Sequence, residues 1–357
     1  MKKVLVGMSG GIDSSVVAYL LKEQGYDVTG ITMSVWKQDP KYMALADGNS
    51  CFSPDKSKDI EKAKQICAGL GIEHRCVDIS ELYEGVVLRN FKDEYLNGRT
   101  PNPCIWCNQK IKFGAMVDMA RKDGLEFDYF ATGHYARIVN QNGRYCLCKG
   151  KDPVKDQSYF LYRLSQKQLS QTLFPLGDME KAEVRELDFK LGYHNPGQSE
   201  SQDFYSGHYT DLLDVDSKEG NIVDTTGKVL GKHNGMWNYT IGQRKGLGIA
   251  SDRPLYVVGL DPVTNTVTVG HEEFTSNRKV AAGNIVWGAV EGLDGKIEAT
   301  AKIRSTGAAV PCLVYMDEHD RLCAEFENPV KSATCGQSLV VYDNDKVLCG
   351  GIIEETD

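Results

Sequence analysis

Strand-like and helix-like patterns of apolar residues alternate over the first part of the chain. Short runs rich in apolar and β-branched residues predict strands at 3–6, 27–33, 74–79 and 127–132. Apolar residues at helical spacing predict helices at 14–22, 59–70, 81–96 and 110–122. This alternation predicts a parallel sheet with helices on both faces, in which a ligand binds beyond the carboxyl ends of the strands.

The pattern changes near residue 207, after which short strands and turns replace the helices. A small β-rich module is predicted from strands at 221–224, 228–230, 254–260 and 266–269. A small barrel or sandwich is predicted from strands at 297–303, 312–315, 322–326, 339–342 and 347–353. We therefore expect three domains, at 1–206, 207–279 and 280–357.

Composition and charge narrow the class of protein. At 357 residues the chain is long enough for two or three domains, and 41% hydrophobic with 25% charged residues is ordinary for a globular protein. No apolar run is long enough to span a membrane, and eleven cysteines without a secretory signal favour a reducing, cytoplasmic compartment. The net charge of −8 counts weakly against a nucleic-acid partner, but binding needs only a local basic face.

The first predicted strand leads into a glycine-rich turn at 7–15, with the sequence Gly-Met-Ser-Gly-Gly-Ile-Asp-Ser-Ser. Adjacent glycines let the backbone turn sharply, and the free N–H groups at the start of the following helix favour a phosphate. The Walker motif needs a lysine after its glycines and the dinucleotide fingerprint needs G-x-G-x-x-G; this turn has neither. It instead resembles the pyrophosphate loop of the PP-loop ATPases, which activate a carbonyl oxygen as its adenylate.

A second dense motif is the Pro-Cys-Ile-Trp-Cys sequence at 103–107. Prolines fix the loop before the cysteines, and Cys107 precedes the helix predicted at 110–122. We expect the helix N-terminus, together with Lys110 and Lys112, to favour the thiolate of Cys107. The Cys-x-x-Cys spacing is typical of a redox pair or of two ligands of a metal or an iron–sulfur cluster.

A pyrophosphate loop and an activated thiol together favour a two-step reaction. ATP converts a carbonyl oxygen into a leaving group, and a sulfur nucleophile then attacks the carbon. Nearly the whole chain resembles the tRNA-specific 2-thiouridylase family. Beyond the two motifs above, the resemblance rests on segments at 132–137, 155–161, 174–177, 200–203 and 239–248 and on the turn at Gln337.

The resemblance implies a fold, a reaction and its partners. The fold is α/β, with a parallel-sheet PP-loop catalytic domain, a small β-rich central domain and a C-terminal β-barrel. The enzyme adenylates the C2 oxygen of the wobble uridine in tRNA and then transfers sulfur, giving 2-thiouridine, AMP and pyrophosphate. ATP and Mg²⁺ are the implied cofactors, and tRNA and a persulfide-carrying donor protein are the implied partners.

The same resemblance assigns site residues position by position. The implied ATP contacts are Gly7, Met8, Ser9, Gly10, Gly11, Ile12, Asp13, Ser14, Met33 and Gly133. The implied tRNA contacts are Asn102, Pro103, Cys104, His134, Lys155, Asp156, Gln157, Arg304, Ser305 and Gln337. The implied catalytic residues are Cys107, which matches the nucleophile, Cys104 and Asp13. From the residues alone, the charged triplet at 155–157 is also compatible with a solvated turn, and His134 with a histidine satisfied at a strand end.

One position departs from the family pattern. After Ser-Gln-Asp at 201–203 the family usually continues Ile-Cys-Phe, and that cysteine carries the persulfide, whereas Tyr205 stands here. A phenol cannot carry a persulfide. Conversely, many members have Asp where this chain has Cys104. We hypothesise that the second thiol lies in the Cys104–Cys107 pair, which either relays sulfur and ends as a disulfide or ligates an iron–sulfur cluster. Two thiols are few for a cluster, which favours the relay.

Two other functions fit parts of the sequence. A PP-loop ligase or amidotransferase acting on a small carboxylate would use the turn at 7–15 and leave the thiol pair idle. A paralogue that binds tRNA without thiolating it would account for Tyr205.

Overall fold

The structure is a computed structural model that describes residues 1–36, 50–52, 56–195, 197, 204–205 and 207–357. The chain divides into two compact units. The first comprises Met1–Val87, Cys104–His208 and Asp345–Val347, and the second comprises Leu88–Pro103, Tyr209–Asn344 and Leu348–Asp357. The domain boundaries expected near residues 207 and 280 stay a prediction.

The first unit is built on a five-stranded parallel sheet and an antiparallel hairpin. Its strands are β1 (Lys3–Gly7), β2 (Asp27–Ser34), β3 (Glu73–Asp78), β4 (Tyr129–Ala131), β5 (Ala136–Gln141), β6 (Arg144–Lys149) and β7 (Thr172–Leu173). The sheet order is β3-β2-β1-β4-β7 with every neighbouring pair parallel, which confirms the predicted sheet. β5 and β6 form the hairpin. β7 has no counterpart among the predicted strands, because two residues are too few to show a period.

Helical segments connect these strands. In chain order they are α1 (Ile12–Glu23), α2 (Ser57–Leu70), α3 (Ser80–Tyr83), α4 (Arg89–Leu96), α5 (Pro103–Trp106), α6 (Met116–Lys122), α7 (Ser158–Leu161), α8 (Gln166–Ser170) and α9 (Lys181–Leu191). Val16, Val17 and Leu21 of α1 belong to the same buried apolar cluster as Val4 and Val6 of β1. This cluster fixes α1 directly beyond the carboxyl end of β1, where the sequence predicts a ligand.

Two of the predicted helices differ from the observed ones. The helix predicted at 81–96 is interrupted by a π-helical segment, Glu84–Leu88. The helix predicted at 110–122 begins at Pro103 and passes through a second π-helical segment, Cys107–Ala115. Proline suits the first turn of a helix because its missing N–H is not needed there. The cysteine motif therefore lies inside the helical segment, and the prediction that Cys107 precedes a helix start is wrong.

The second unit contains a four-stranded central sheet. Its strands are β8 (Gly220–Asp224), β9 (Val229–His233), β10 (Tyr256–Asp261) and β11 (Thr266–Gly270). They are arranged in the order β10-β11-β8-β9. Short 3₁₀ segments of this unit lie at Tyr209–Leu212, Met236–Asn238 and Glu272–Thr275. Ile222, Val257 and Val267 form the centre of a small separate core, as expected for an independent β-rich module.

The remaining strands form the predicted barrel. They are β12 (Ser276–Trp287), β13 (Ile297–Lys302), β14 (Val310–Met316), β15 (Leu322–Lys331), β16 (Ser338–Asp343) and β17 (Lys346–Thr356). The order β12-β15-β14-β13-β16-β17 is closed by antiparallel pairing of β12 with β17. Closure leaves no open sheet edge, which is how small β domains avoid edge-to-edge association. No helix in the described parts of the chain is long and apolar enough to cross a membrane.

Candidate functional site

The loop between β1 and α1 is held by hydrogen bonds among its own residues. The Ser9 amide donates to Ser14 Oγ (3.1 Å), and the Gly11 amide donates to Ser9 Oγ (3.3 Å). The hydroxyls of Ser14 and Ser15 donate to the Gly11 carbonyl at 3.1 and 2.8 Å. These bonds shape a turn that leads into a helix start, where amide groups and the positive end of the helix dipole suit a phosphate.

Two glycines at this site are required by close approach. Gly10 has a φ of +77°, and a Cβ there would lie 2.4 Å from the Asp59 carbonyl oxygen. Gly133, two residues beyond β4, would place a Cβ only 2.8 Å from the Cβ of Asp13. A side chain at either position would displace its neighbour, so glycine is needed at both. The β4 end is thus in contact with the loop, as the parallel sheet predicts.

The ends of β1 and β2 meet at the same edge. The Met8 amide donates to the Ile31 carbonyl, and Thr32 Oγ1 donates to the Met8 carbonyl, both at 2.8 Å. Met33 follows near the end of β2 and is half-buried. The predicted ATP contacts therefore lie at the end of β1 and the loop after it, in the first turn of α1, and at the ends of β2 and β4. Contact of each with ATP stays a prediction.

Asp13, in the first turn of α1, is bound by two side chains from distant segments. Tyr135 Oη donates to Asp13 Oδ1 at 2.8 Å, and Lys181 Nζ donates to the same oxygen at 2.6 Å. The Lys181 side chain is 8% exposed and that of Asp13 30% exposed. Lys181 opens α9, whose start is fixed by a capping box between Glu180 and Glu183. The helix thus delivers a buried cation beside the phosphate-type turn.

His194, just beyond the end of α9, holds the backbone of the same loop. Its Nε2 donates to the Gly10 carbonyl at 2.8 Å, and its Nδ1 lies 2.7 Å from Asp188 Oδ1. The His194 side chain is completely buried. The sequence motifs did not indicate Lys181 or His194, because these residues lie 168 and 184 positions from their partners in the loop. The available signal was weak: a capped helix flanked by a lysine and a histidine.

The helix that carries Cys107 is anchored by polar contacts on its next turn. Asn108 Nδ2 donates to the Phe160 carbonyl at 3.1 Å. Gln109 Nε2 donates to the Arg163 carbonyl, and Arg163 Nε donates to Gln109 Oε1, both at 3.0 Å. The buried Arg163 guanidinium also lies 4.8 Å from the centre of the Trp106 ring. These contacts fix the backbone on both sides of Cys107.

Burial dominates the acidity of Cys107. It raises the pKa of this thiol to about 11, although the charge of Lys112 acts to lower it. The expected activation by a helix N-terminus and neighbouring lysines is therefore wrong. Cys107 lies one turn inside the helical segment, and its loss of contact with water outweighs the one favourable charge. The thiol is protonated at neutral pH.

The charge of Lys112 interacts with three thiols, which we call the thiol cluster: Cys51, Cys104 and Cys107. Burial acts to lower the pKa of Lys112, but Cys107, Cys51 and Cys104 raise it, and the net shift is upward. Burial and the same three thiols raise the pKa of Tyr83. Cys51 is the member that the sequence did not indicate, since no second cysteine lies at two-residue spacing from it. In the part of the chain that the structure describes, no group of three His, Cys, Asp or Glu could hold a metal ion.

Tyr205, at the position where the resemblance expects a sulfur-carrying cysteine, is a packing residue. It is 2% exposed, and its ring centre lies 6.4 Å from that of Phe52. Phe52 in turn stacks on Phe204 at 5.8 Å and on Tyr83 at 5.4 Å. A buried aromatic group therefore replaces the thiol. The preceding Ser-Gln-Asp segment, 201–203, lies outside the described residues.

His134 is neutral at physiological pH. Burial and the charge of Lys112 hold the pKa of His134 well below its usual range. Its Nδ1 lies 2.7 Å from Thr132 Oγ1, and its ring packs near Phe113 and Phe174. The imidazole can therefore form hydrogen bonds but offers no positive charge to a phosphate. Its contact with tRNA stays a prediction.

The side chains of Asp156 and Gln157 are used inside the protein. Asp156 Oδ1 accepts hydrogen bonds from the amides of Gly150 (3.2 Å) and Ser158 (3.1 Å). Gln157 Oε1 accepts one from the Tyr135 amide at 2.9 Å. This turn thus positions Tyr135, the residue whose hydroxyl binds the loop aspartate. The contact of the 155–157 triplet with tRNA stays a prediction.

Within the second unit, Gln337 holds the loop that precedes the cysteine motif. Its Nε2 donates to the carbonyls of Thr100 (3.1 Å) and Pro101 (3.0 Å). The Thr100 amide donates to the Cys335 carbonyl at 2.9 Å. A positioning contact is therefore observed for Gln337, whose predicted tRNA contact is untested.

The other tRNA contacts predicted in this unit lie at or near its surface. Asn102 and Pro103 are half-buried, Ser305 is half-buried, and Arg304 is exposed in the turn that follows β13. Their surfaces are available to a large ligand, and their roles stay a prediction.

Family comparisons match the chain in three consecutive segments. The family described as "tRNA methyl transferase HUP domain" matches residues 2–205. The "tRNA methyl transferase PRC-barrel domain" matches 213–271, and the "Aminomethyltransferase beta-barrel domain" matches 277–353. Together these matches cover the parallel-sheet region, the central module and the barrel.

Curated relatives align with the chain over its whole length. A tRNA-specific 2-thiouridylase MnmA of Endomicrobium trichonymphae is 47% identical over 98% of this chain and 98% of its own length. One of Caldanaerobacter subterraneus is 46% identical and one of Clostridium perfringens is 42% identical, each over 99% of this chain and 98% of the relative.

Proposed function

Since the chain belongs to the tRNA-specific 2-thiouridylase family, we propose that it thiolates C2 of the wobble uridine in tRNA. ATP first adenylates the C2 oxygen and pyrophosphate leaves. Sulfur then attacks C2, AMP leaves, and the product is 2-thiouridine.

The observation that supports this proposal most strongly is the way the loop at 7–15 and its cation are fixed. The hydroxyls of the loop bind its own backbone, His194 holds the Gly10 carbonyl, and Lys181 reaches Asp13. A pyrophosphate at this helix start would meet amide donors and a buried positive charge. Such contacts stabilise the negative charge that builds up as pyrophosphate departs.

Asp13 also fits a Mg²⁺ ion carried by ATP. Magnesium bound to substrate phosphates usually takes only one or two protein carboxylates. Asp13 Oδ1 binds Tyr135 and Lys181, so the second carboxylate oxygen is the one that would bind the ion. The ion would supply charge neutralisation on the phosphates.

We place the sulfur chemistry on Cys107 and Cys104. The outer sulfur of a Cys107 persulfide attacks C2 and expels AMP. The Cys104 thiolate then attacks Sγ of Cys107, which leaves the outer sulfur on the uridine and forms a Cys104–Cys107 disulfide. A dithiol reductant regenerates both thiols. The spacing supports this, because residues three apart on a helical segment lie on the same side.

The residues around Lys112 do not fit an iron–sulfur cluster. A cluster is usually held by four cysteine thiolates. The thiol cluster offers three thiols, and no three His, Cys, Asp or Glu side chains of the described residues are arranged to hold a metal ion. We therefore derive no step through a cluster.

Two macromolecular partners follow from the reaction: tRNA and a protein that carries a persulfide. The net charge of −8 means that tRNA must be bound by local basic and hydrogen-bonding groups. We place these at Asn102, Pro103, Cys104, His134, Lys155, Asp156, Gln157, Arg304, Ser305 and Gln337.

Electrophoresis of tRNA in a mercury-containing gel tests the proposal, because thiolated tRNA is retarded there. Unmodified tRNA is incubated with the protein, ATP, Mg²⁺ and inorganic polysulfide. We expect a retarded band and tRNA-dependent release of AMP. A normal band with AMP release would indicate adenylation without thiolation, and absence of both would leave a tRNA-binding paralogue; either result contradicts the proposal.

A further inference from the structure

We propose that Cys51 receives sulfur from the donor and passes it to Cys107. The inference rests on the proposed function and adds a third thiol to its sulfur-transfer step. Cys107 is 8% exposed, so a protein donor cannot readily approach its sulfur. Cys51 is exposed. A thiol that receives sulfur from a protein must be accessible, as Cys51 is. A thiol that carries the persulfide to the uridine is protected by burial, as Cys107 is.

Packing of the neighbouring residue fixes Cys51 near the helical segment of Cys107. Phe52, directly after it, is 4% exposed and stacks on Tyr83 with an angle of 7° between the rings. Tyr83 ends α3, and α3 contacts the π-helical segment Cys107–Ala115. Cys51 is therefore attached to a buried anchor that lies against the helix of the nucleophile.

The charges in this region agree with that placement. The pKa of Lys112 is raised by Cys107, Cys51 and Cys104 together. A charge on Cys51 also acts to raise the pKa of Cys107. The positive charge of Lys112 favours a thiolate on any of these three cysteines.

The position of Cys51 also bears on the missing cysteine at 205. The Phe52 amide donates a hydrogen bond to the Phe204 carbonyl at 2.9 Å. Cys51 is thus next to the residue that pairs with the segment where the family usually carries its persulfide. We infer that the Cys51 thiol, on a neighbouring segment of the chain, takes the sulfur-carrying role that Tyr205 cannot perform.

The transfer balances without a redox step. The Cys51 thiolate takes the outer sulfur of a donor persulfide, and the donor leaves as a thiolate. The Cys107 thiolate then attacks the outer sulfur of the Cys51 persulfide; a sulfur–sulfur bond forms on Cys107 and the one on Cys51 breaks, which returns Cys51 as a thiolate. Oxidation occurs only in the later step that joins Cys104 and Cys107.

Cys76 provides a matched control. It and Cys51 are both exposed cysteines of the first unit. Cys76 lies on β3, where it pairs with Thr32 of β2. The variants Cys51→Ser and Cys76→Ser therefore remove the same group from exposed positions, and only the first is in the thiol cluster.

Time-resolved mass spectrometry of persulfides tests the proposal, with inorganic polysulfide as the sulfur source. In the full-length wild-type protein we expect one added sulfur atom on Cys51 first and on Cys107 later. Cys107→Ser should accumulate the sulfur on Cys51, and Cys51→Ser should lose both the Cys107 persulfide and tRNA thiolation while keeping tRNA-dependent AMP release. Cys76→Ser should match the wild type in both.

Three results would overturn the inference. Cys107 could acquire sulfur in Cys51→Ser as fast as in the wild type, or Cys51 could never carry a persulfide. Visible absorption of anaerobically purified protein that disappears in Cys51→Ser would instead identify Cys51 as a cluster ligand. Failure of the wild type itself to thiolate tRNA would contradict the proposed function, so the two failures are distinguishable.

Discussion

The loop at 7–15 and the thiol cluster are fixed by opposite means. Side chains from distant segments hold the loop: His194 binds the Gly10 carbonyl, and Lys181 and Tyr135 bind Asp13. The thiol cluster is controlled by burial, which raises the pKa of Cys107 to about 11. The loop is arranged to receive negative charge, whereas Cys107, the proposed nucleophile, is kept protonated.

This difference suggests an order of events. A preorganised phosphate site can act as soon as ATP and its acceptor bind, because little reorganisation is needed. The protonated Cys107 thiol takes up sulfur slowly until its proton is removed, because the thiolate is the nucleophile. The two environments therefore favour adenylation at a prepared site and make the loading of sulfur on Cys107 wait for the loss of its proton.

Removal of the nucleophile should have the largest effect. Cys107→Ser should abolish tRNA thiolation, because an alcohol cannot carry a persulfide, and should preserve tRNA-dependent AMP release from the loop. Thiolation is followed by retardation of tRNA in a mercury gel. Retarded tRNA from this variant would show that sulfur transfer to tRNA does not depend on Cys107.

Loss of the buried Lys181 cation should have the second largest effect, and it should affect adenylation and not sulfur transfer. Lys181→Met should slow AMP release by roughly 10²–10³-fold, the range found when one preorganised charge-stabilising contact is removed. Lys190→Met is the control, because Lys190 lies on the same helix and pairs with Glu186 at the surface. Equal rates of AMP release from the two variants would show that Lys181 does not contribute to adenylation.

The acidity of Cys107 gives a graded test. Below a pKa of about 11 the thiolate fraction rises about tenfold per pH unit, and the alkylation rate of Cys107 should rise with it. Since the charge of Lys112 lowers this pKa, Lys112→Met should make alkylation slower at every pH below it. Lys110→Met, an exposed neighbour, is the control. A pH-independent rate would mean that burial does not govern this thiol.

His194→Ala should have a moderate effect on both stability and ATP binding. It removes a partner from the Gly10 carbonyl and from the buried Asp188, at a cost of about 1–3 kcal/mol in the free energy of unfolding. Because the loop is then free to shift, the KM for ATP should rise more than kcat falls. Urea unfolding and ATP titration measure these two effects. A stability loss with unchanged KM would reduce His194 to a core residue.

The smallest effect is expected at Gln337. Gln337→Ala removes the donor to the Thr100 and Pro101 carbonyls, so local opening of that loop should become easier by about 1 kcal/mol. Hydrogen exchange at residues 100 and 102 reports it directly. Unchanged exchange, with weaker tRNA binding, would mean that Gln337 acts on tRNA and not on the loop.

The loop could be read from sequence because its partners are local. Ser9, Gly11, Ser14 and Ser15 bond one another within a few residues, so the motif carries its own structure. Lys181 and His194 could not be found in this way, since only the fold brings them to the loop. The parallel sheet followed from periodicity, which is also a local property. The spacing of the later strands left a barrel or a sandwich open, and the family resemblance implied the barrel.

The thiol site shows where local reasoning fails. The sequence indicated the spacing of Cys104 and Cys107. The helix start predicted from it lay after both cysteines, and the predicted reactivity of Cys107 depended on neighbouring lysines. The helix begins at Pro103, and burial, a tertiary property, outweighs Lys112. Cys51 joins the group through aromatic packing of Phe52, for which no motif exists.

A single-turnover reaction tests most directly whether the loop and the thiols act in turn on one uridine. Protein preloaded with persulfide is mixed with ATP, Mg²⁺ and unmodified tRNA, and AMP, 2-thiouridine and protein disulfide are measured over time. We expect equal amounts of AMP and 2-thiouridine, together with a Cys104–Cys107 disulfide. Formation of 2-thiouridine without AMP, or without that disulfide, would contradict this expectation.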